Sequence, residues 1–279
     1  MGKLTDKRNS LLWDVVRDIV RLNSKGVPNF ADSSSKQSSR ISCELLKLLG
    51  NTPGVSEITA QSSGKAFEEK IEGFVRDCFE ELSGIRPGDW KVGRNQFISN
   101  FDQYDHLNSL VAATRDNPEL AAILGRDYVI KPDIVMLREP LEDADINSSK
   151  ELVDAETALR TPLRKINNEK PLLHASISCK WTIRSDRSQN SRTEALNLIR
   201  NRKGRLPHIV VVTAEPTPNR IASIALGTGD IDCVYHFALY ELREAIDACG
   251  FEDALELLDS MIDGRRLRDI SDLPLDLAV

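Results

Sequence analysis

Apolar residues recur at helical spacing from residue 5 to 23. Leu11, Leu12, Val15, Val16, Ile19, Val20 and Leu22 predict an opening amphipathic helix. A Ser/Asn-rich loop, VPNFADSSSKQSS from Val27 to Ser39, precedes a short helix at 40–49. Ser63-Gly64 opens another helix, running to about Leu82, with the stripe Phe67, Ile71, Phe74, Val75, Cys78 and Leu82. The turn GIRPGDW, Gly84 to Trp90, closes it. Residues 102–124 carry the helical pattern again. Short β-rich runs predict strands at 127–138, 171–181, 207–214, 220–226 and 231–237, with Gly227-Thr228-Gly229-Asp230 as a hairpin turn between the last two. Residues 139–170 are polar and charged and have the character of an insertion. Helices at 189–203 and 238–263 complete an α/β pattern. With neither an internal repeat nor a clear linker, residues 1–279 are expected to form a single domain, a mixed central β-sheet flanked by helices.

Composition changes this picture little. An apolar share of 41% and a charged share of 29% are those of an ordinary globular protein. The longest strongly apolar run, IVVVTA (Ile209 to Ala214), is far short of the ~18 residues of a membrane span. The N-terminus lacks a hydrophobic signal region, and Asp6 stands where a myristoylation motif needs Ser or Thr. Five widely spread cysteines without C-x-x-C read as buried thiols in a reducing cytosol.

Charge changes it more. The chain carries a net charge of −6, yet residues 180–205 hold eight bases and two acids, leaving −12 elsewhere. A basic stripe on an acidic body suits a selective polyanion partner; a solvated basic helix is the alternative.

Four positions attract chemical interest. Asp133 interrupts VIKPDIVM, where a carboxylate is costly unless it is paired, binds a metal or caps a turn. Period-two alternation puts His174, Ser176, Ser178 and Lys180 on one strand face. An ammonium there can position a water and offset phosphate charge, or it can snorkel at a strand end. SRTE, from Ser191 to Glu194, matches a helix-capping box, which would use Glu194 for backbone capping. Glu68 shares a helix face with Ile71, Val75, Cys78 and Leu82, so it either answers the helix dipole or points into a metal site.

Together these residues form a recognisable series: Pro132-Asp133, 44 intervening residues, Ser178-Cys179-Lys180, then Glu194 after 13 more. The series resembles the permuted PD-(D/E)xK core of the NgoMIV-like type II restriction endonucleases, which cut sites containing CCGG. The likeness runs through QSSGKAFE (Gln61 to Glu68), IRPGDW (Ile85 to Trp90), Pro132-Asp133-Ile134, LLHASISCKWTIRSDR (Leu172 to Arg187) and nearly everything from Asn197 to Val279. It implies a nuclease core at about 61–240, preceded by a helical part at 1–60 and followed by helices at 238–263. Ser178 replaces the usual acid two before the lysine, and Glu194 would supply the missing carboxylate.

By this resemblance Asp133, Ser178, Lys180, Glu194 and Glu68 are catalytic, and Asp133, Glu194 and Glu68 hold Mg²⁺. Arg184, Asp186 and Arg187 match a major-groove R-x-D-R element. Arginine forks suit guanine O6 and N7, and a carboxylate accepts from cytosine N4. Gln61 is implied near the minor groove, with Asp32 and Arg220 extending the site. The implied partner is double-stranded DNA containing GCCGGC, cut with a stagger by a homotetramer in a bacterial cytoplasm, with a cognate methyltransferase protecting host DNA. Two competing readings differ in class. A catalytically silent DNA-binding protein of the same fold has no need of Asp133, Lys180 and Glu194 together. A metabolic α/β enzyme for a phosphorylated substrate wants a glycine-rich loop before a helix, whereas a strand pattern follows Gly227-Thr228-Gly229.

Overall fold

The computed structural model describes residues 2–279 other than 57, 116, 118, 120, 121, 123–129, 184 and 228, and residues 185–189 through their backbone alone. The N-terminal part is helical: α1 (Lys3–Asp18), α2 (Lys36–Leu49) and α3 (Ala60–Glu80). Side chains set two of these starts. Ser35 accepts from the Ser38 amide and Thr59 from the Ser62 amide, so α2 begins earlier than its apolar pattern predicts.

Six strands follow, β1 (Trp90–Arg94), β2 (Ile134–Arg138), β3 (Leu172–Lys180), β4 (His208–Thr213), β5 (Cys233–His236) and β6 (Leu267–Asp269). They form one mixed sheet in sequence order. The β1–β2 and β2–β3 pairs are antiparallel, and β3 through β6 run parallel. Parallel neighbours need crossovers. These are α6 (Ser185–Asn201), α7 (Pro218–Ala225), and α8 (Leu239–Ala248) with α9 (Glu252–Asp263). Shorter helices, α4 (His106–Arg115), α5 (Asp143–Ile146) and α10 (Leu273–Asp276), complete the described residues. Every residue of β3 from Leu173 to Cys179 is buried, so the central strand is covered on both faces. A buried Arg8 binds Asp269 and Glu241, tying α1 to the C-terminal part.

Several sequence expectations are corrected. Residues 220–226 are helical, because Pro218 occupies a first-turn position and Ile221, Ile224 and Ala225 bury at 3.6-residue spacing. The segment after it therefore joins a helix to a parallel strand and is no hairpin. Residues 238–263 break into α8 and α9 at Gly250, whose φ of 69° stops the first helix. Strands β1 and β6 went unpredicted; they are short, and Gly93 and charged residues blur their alternation. Of the expected 102–124 helix, the described residues form one 3₁₀ turn (Asp102–Tyr104) and α4, while residues 127–129 of the first expected strand lie outside the described residues. Asp133 thus precedes β2 and does not interrupt it. Among the described residues no helix is long and apolar enough to cross a membrane. All five cysteines are free.

Candidate active site and DNA-facing groove

β2 and β3 lie antiparallel, so the start of one meets the end of the other: Ile134 pairs with Ile177. That register brings Asp133 to the C-terminal end of β3. Its Oδ2 accepts from the Cys179 amide (2.8 Å), the Lys180 ammonium (3.1 Å) and the Ser178 hydroxyl (3.3 Å). All three bonds converge on one oxygen and leave Oδ1 out. Lys180 is anchored from behind, where its carbonyl accepts from the Ala214 amide (3.2 Å) and the Thr213 hydroxyl (2.8 Å). Trp181 packs on Phe67 at 5.3 Å between ring centroids, joining α3 to the end of β3 next to Glu68.

Glu194 does not cap a helix. α6 begins at Ser185, so Ser191 and Glu194 lie in its interior, and the capping-box expectation fails. One carboxylate oxygen, Oε1, is buried without a partner among the described residues. Burial and the Asp133 charge, opposed by Lys180, push the Glu194 carboxyl up to about 7. Half-buried Glu68 is raised for the same two reasons, burial first and the Asp133 charge second. Asp133, Glu194, Glu68 and Lys180 therefore share one electrostatic environment with more carboxylates than cations.

These residues fit a divalent cation in donor chemistry. All three acids offer oxygen, which Mg²⁺ prefers, and the orphaned Glu194 oxygen lacks only a positive partner. As the side chains lie, no three His, Cys, Asp or Glu among the described residues enclose an ion-sized space.

Beside this cluster runs an open groove of about 850 Å³, lined by Asn29, Asp32, Ser34, Thr182, Ile183 and Arg220, among others. The structure joins two site residues that are 188 positions apart: the Arg220 guanidinium donates to Asp32 Oδ2. Ser34 donates to the other oxygen through its amide (3.0 Å) and hydroxyl (2.6 Å). The Ser34 bonds, then Arg220, hold the Asp32 carboxyl down at about 2. Gln61 is exposed on the first turn of α3. Arg184 and the side chains of Asp186 and Arg187 lie outside the described residues, although the backbone of 185–187 begins α6 directly after the groove-lining Ile183.

The basic stripe does not form one surface. Lys180 belongs to the acidic cluster, while Arg192 binds the carbonyls of Ser223 and Leu226. Lys203 and Arg205 line a separate cavity near Arg138, at the far end of the sheet.

One residue was missed in the sequence. Glu215 is fully buried just past β4, and its carboxylate accepts the Ile183 amide (2.9 Å) and the Thr217 amide (3.2 Å). Arg220 stands 3.8 Å away. Burial raises the Glu215 carboxyl despite these bonds. It thus ties the segment leading into Arg184 to the turn that carries Arg220. A carboxylate ending the apolar run IVVVTA was the available signal.

Comparison with known proteins shows the family. The family model described as NgoMIV restriction enzyme matches residues 11–279. The type II restriction enzyme NgoMIV of Neisseria gonorrhoeae is 55% identical over 267 residues, 94% of this chain and 93% of that one. Two solved structures are more distant. The pre-specific restriction endonuclease BsaWI–DNA complex is 14% identical with a TM-score of 0.31, over 74% of this chain and 65% of that one. The type IIF restriction endonuclease Bse634I with cognate DNA is 13% identical with a TM-score of 0.33, over 91% and 92%.

Proposed function

The chain belongs to the NgoMIV restriction enzyme family and is a type II restriction endonuclease, and from that premise we propose that it makes Mg²⁺-dependent cuts at GCCGGC, leaving 5′ overhangs. The observation that carries the reading is the Asp133–Lys180 pair within reach of a buried, unpartnered Glu194 oxygen. Asp133, Glu194 and Glu68 would hold Mg²⁺, which when bound polarises the scissile phosphate and acidifies water.

The chain's own residues do the rest. Lys180, fixed by Asp133 and β4, orients a water in line with the phosphorus and offsets the charge gathering on the phosphate oxygens. The bond to the 3′-oxygen breaks, and that oxygen leaves with a proton, so products carry 5′-phosphate and 3′-hydroxyl ends. Ser178 serves Asp133 as a donor, which is the use its 3.3 Å bond supports.

Base reading falls to Arg184, Asp186 and Arg187 for the inner CG of each half-site, with Gln61 at the minor groove and Asp32 with Arg220 at the outer pair. The Asp32–Arg220 ion pair in the groove supports the last assignment. The same reading includes a homotetramer acting on two sites, a protecting methyltransferase and a bacterial cytoplasmic location, all supported by likeness to NgoMIV. A continuous apolar core from Leu11 to Leu277 supports one domain over 1–279.

The test incubates the protein with a two-site GCCGGC plasmid, with Mg²⁺ and with chelator, and sequences the ends. Mg²⁺-dependent cuts confined to GCCGGC are expected. Cuts in other CCGG contexts would remove the outer-pair assignment. Site-specific binding without cutting under any condition would make the chain a silent DNA-binding protein.

A further inference from the structure

Where this protein buries a guanidinium for structural reasons, it supplies acids. Arg8 forms four bonds of 2.7 to 2.9 Å to Asp269 and Glu241, and buried Arg164 pairs with Asp143. Two partly buried arginines break that pattern. Arg86 and Arg138 stand 5.4 and 5.3 Å from the centroid of one ring, Trp90. Neither has an acidic partner among the described residues, and the Nε of each is buried and unbonded. Their charges oppose one another, and burial together with Arg86 lowers the pKa of Arg138.

Both arginines line a cavity of about 250 Å³ with Trp90, His174, Lys203 and Arg205. Among the described residues Asp102 is the sole acid on its wall, and the charges acting on it are those of Asp105 and Lys170. Converging, partly desolvated cations without counter-charge are costly, and an anion between them removes the cost. Cation–π contact with Trp90 offsets only part of it.

We propose that this cavity binds a small phosphate-class oxyanion, gripped by Arg86 and Arg138 and attracted by Lys203 and Arg205. Guanidinium forks match the paired oxygens of phosphate. A volume of 250 Å³ admits a phosphate with a small substituent, and nothing the size of a duplex. The site is separate from the catalytic cluster. Arg138 ends β2 opposite Leu172, whereas Asp133 precedes β2 beside Lys180. Five residues of strand put the two about 17 Å apart.

The test is calorimetric titration of the full-length protein with inorganic phosphate at constant ionic strength. Arg86→Gln and Arg138→Gln are compared with wild type, and Lys180→Ala controls for phosphate taken at the catalytic end. One saturable event is expected, weakened about tenfold or more in each arginine variant and unchanged in the lysine variant. Should either arginine variant fail to fold, Lys203→Gln on the rim is expected to weaken binding about threefold. No saturable binding would overturn the proposal, as would full-strength binding in both arginine variants or loss in Lys180→Ala. Repeating the titration with a 5′-mononucleotide distinguishes a free phosphate from an esterified one; tighter binding of either supports the site.

Discussion

The two ends of the β2–β3 pair carry opposite surpluses. At one end Asp133, Glu194 and Glu68 outnumber Lys180, and burial holds Glu194 near neutrality. At the other, Arg86 and Arg138 stand over Trp90 with no acid paired to either among the described residues. Elsewhere buried charge is closed by its partner, as at Arg8 with Asp269. An unbalanced charge inside a protein is costly, which supports the proposed cation at the acidic end and the proposed anion at the basic end. Among the described residues it is the acidic end that adjoins the groove where Asp32, Arg220 and Ile183 meet, which is why the proposed cleavage is assigned there.

Breaking the acidic end has the largest expected effect. Lys180→Ala removes the cation bonded to Asp133, and cleavage of a GCCGGC duplex should fall about 10²- to 10⁴-fold while DNA binding in Ca²⁺ persists. Single-turnover cleavage and gel-shift assays check this; an active variant would refute the assignment. Next comes the surplus itself. In metal-free protein the raised Glu194 carboxyl favours folding below its unfolded value, and that contribution is lost as pH rises through about 7. Glu194→Gln should abolish this loss, making the apo variant more stable than wild type at pH 8 by up to about 3 kcal/mol, with equality near pH 4. Urea melts at the two pH values measure it. A constant difference between the two would contradict the burial of an ionisable group there.

Glu215→Ala sharpens the contrast by opening a buried acid that is satisfied. It frees the Ile183 and Thr217 amides, and a loss of about 1–3 kcal/mol is expected. Discrimination between GCCGGC and other CCGG sites should suffer more than the maximal rate; a uniform fall in rate would make the residue merely structural. The smallest effect belongs to the basic end. In phosphate-free buffer Arg138→Gln trades charge relief for lost stacking on Trp90, so its melting free energy should stay within about 1 kcal/mol of wild type. A large destabilisation would mean that the arginine already has its partner.

The legible residues were those where chemistry violates a local pattern. Asp133 beside an apolar run, and Ser178 with Lys180 on one face of a period-two strand, stood out because a short strand records its own alternation. The capping reading of SRTE, the alternative to a catalytic Glu194, misled because SRTE is a valid cap in isolation; the earlier start of α6 places it mid-helix. Residues 220–226 misled because Ile221, Ala222, Ile224 and Ala225 fit either period over so short a run. β1 and β6 were invisible for the complementary reason: three to five residues at a sheet edge bury too little to leave a pattern.

By itself, the sequence determined the α/β class and the strand bearing Lys180, since these depend on residues within a few positions of one another. Tertiary structure alone decided that Asp32 meets Arg220, that Glu215 holds Ile183, and that Arg86 and Arg138 converge on Trp90. These contacts span 32 to 188 positions, or join segments whose approach depends on how the whole sheet packs. Local propensity carries no record of such distances; burial and strand register create them.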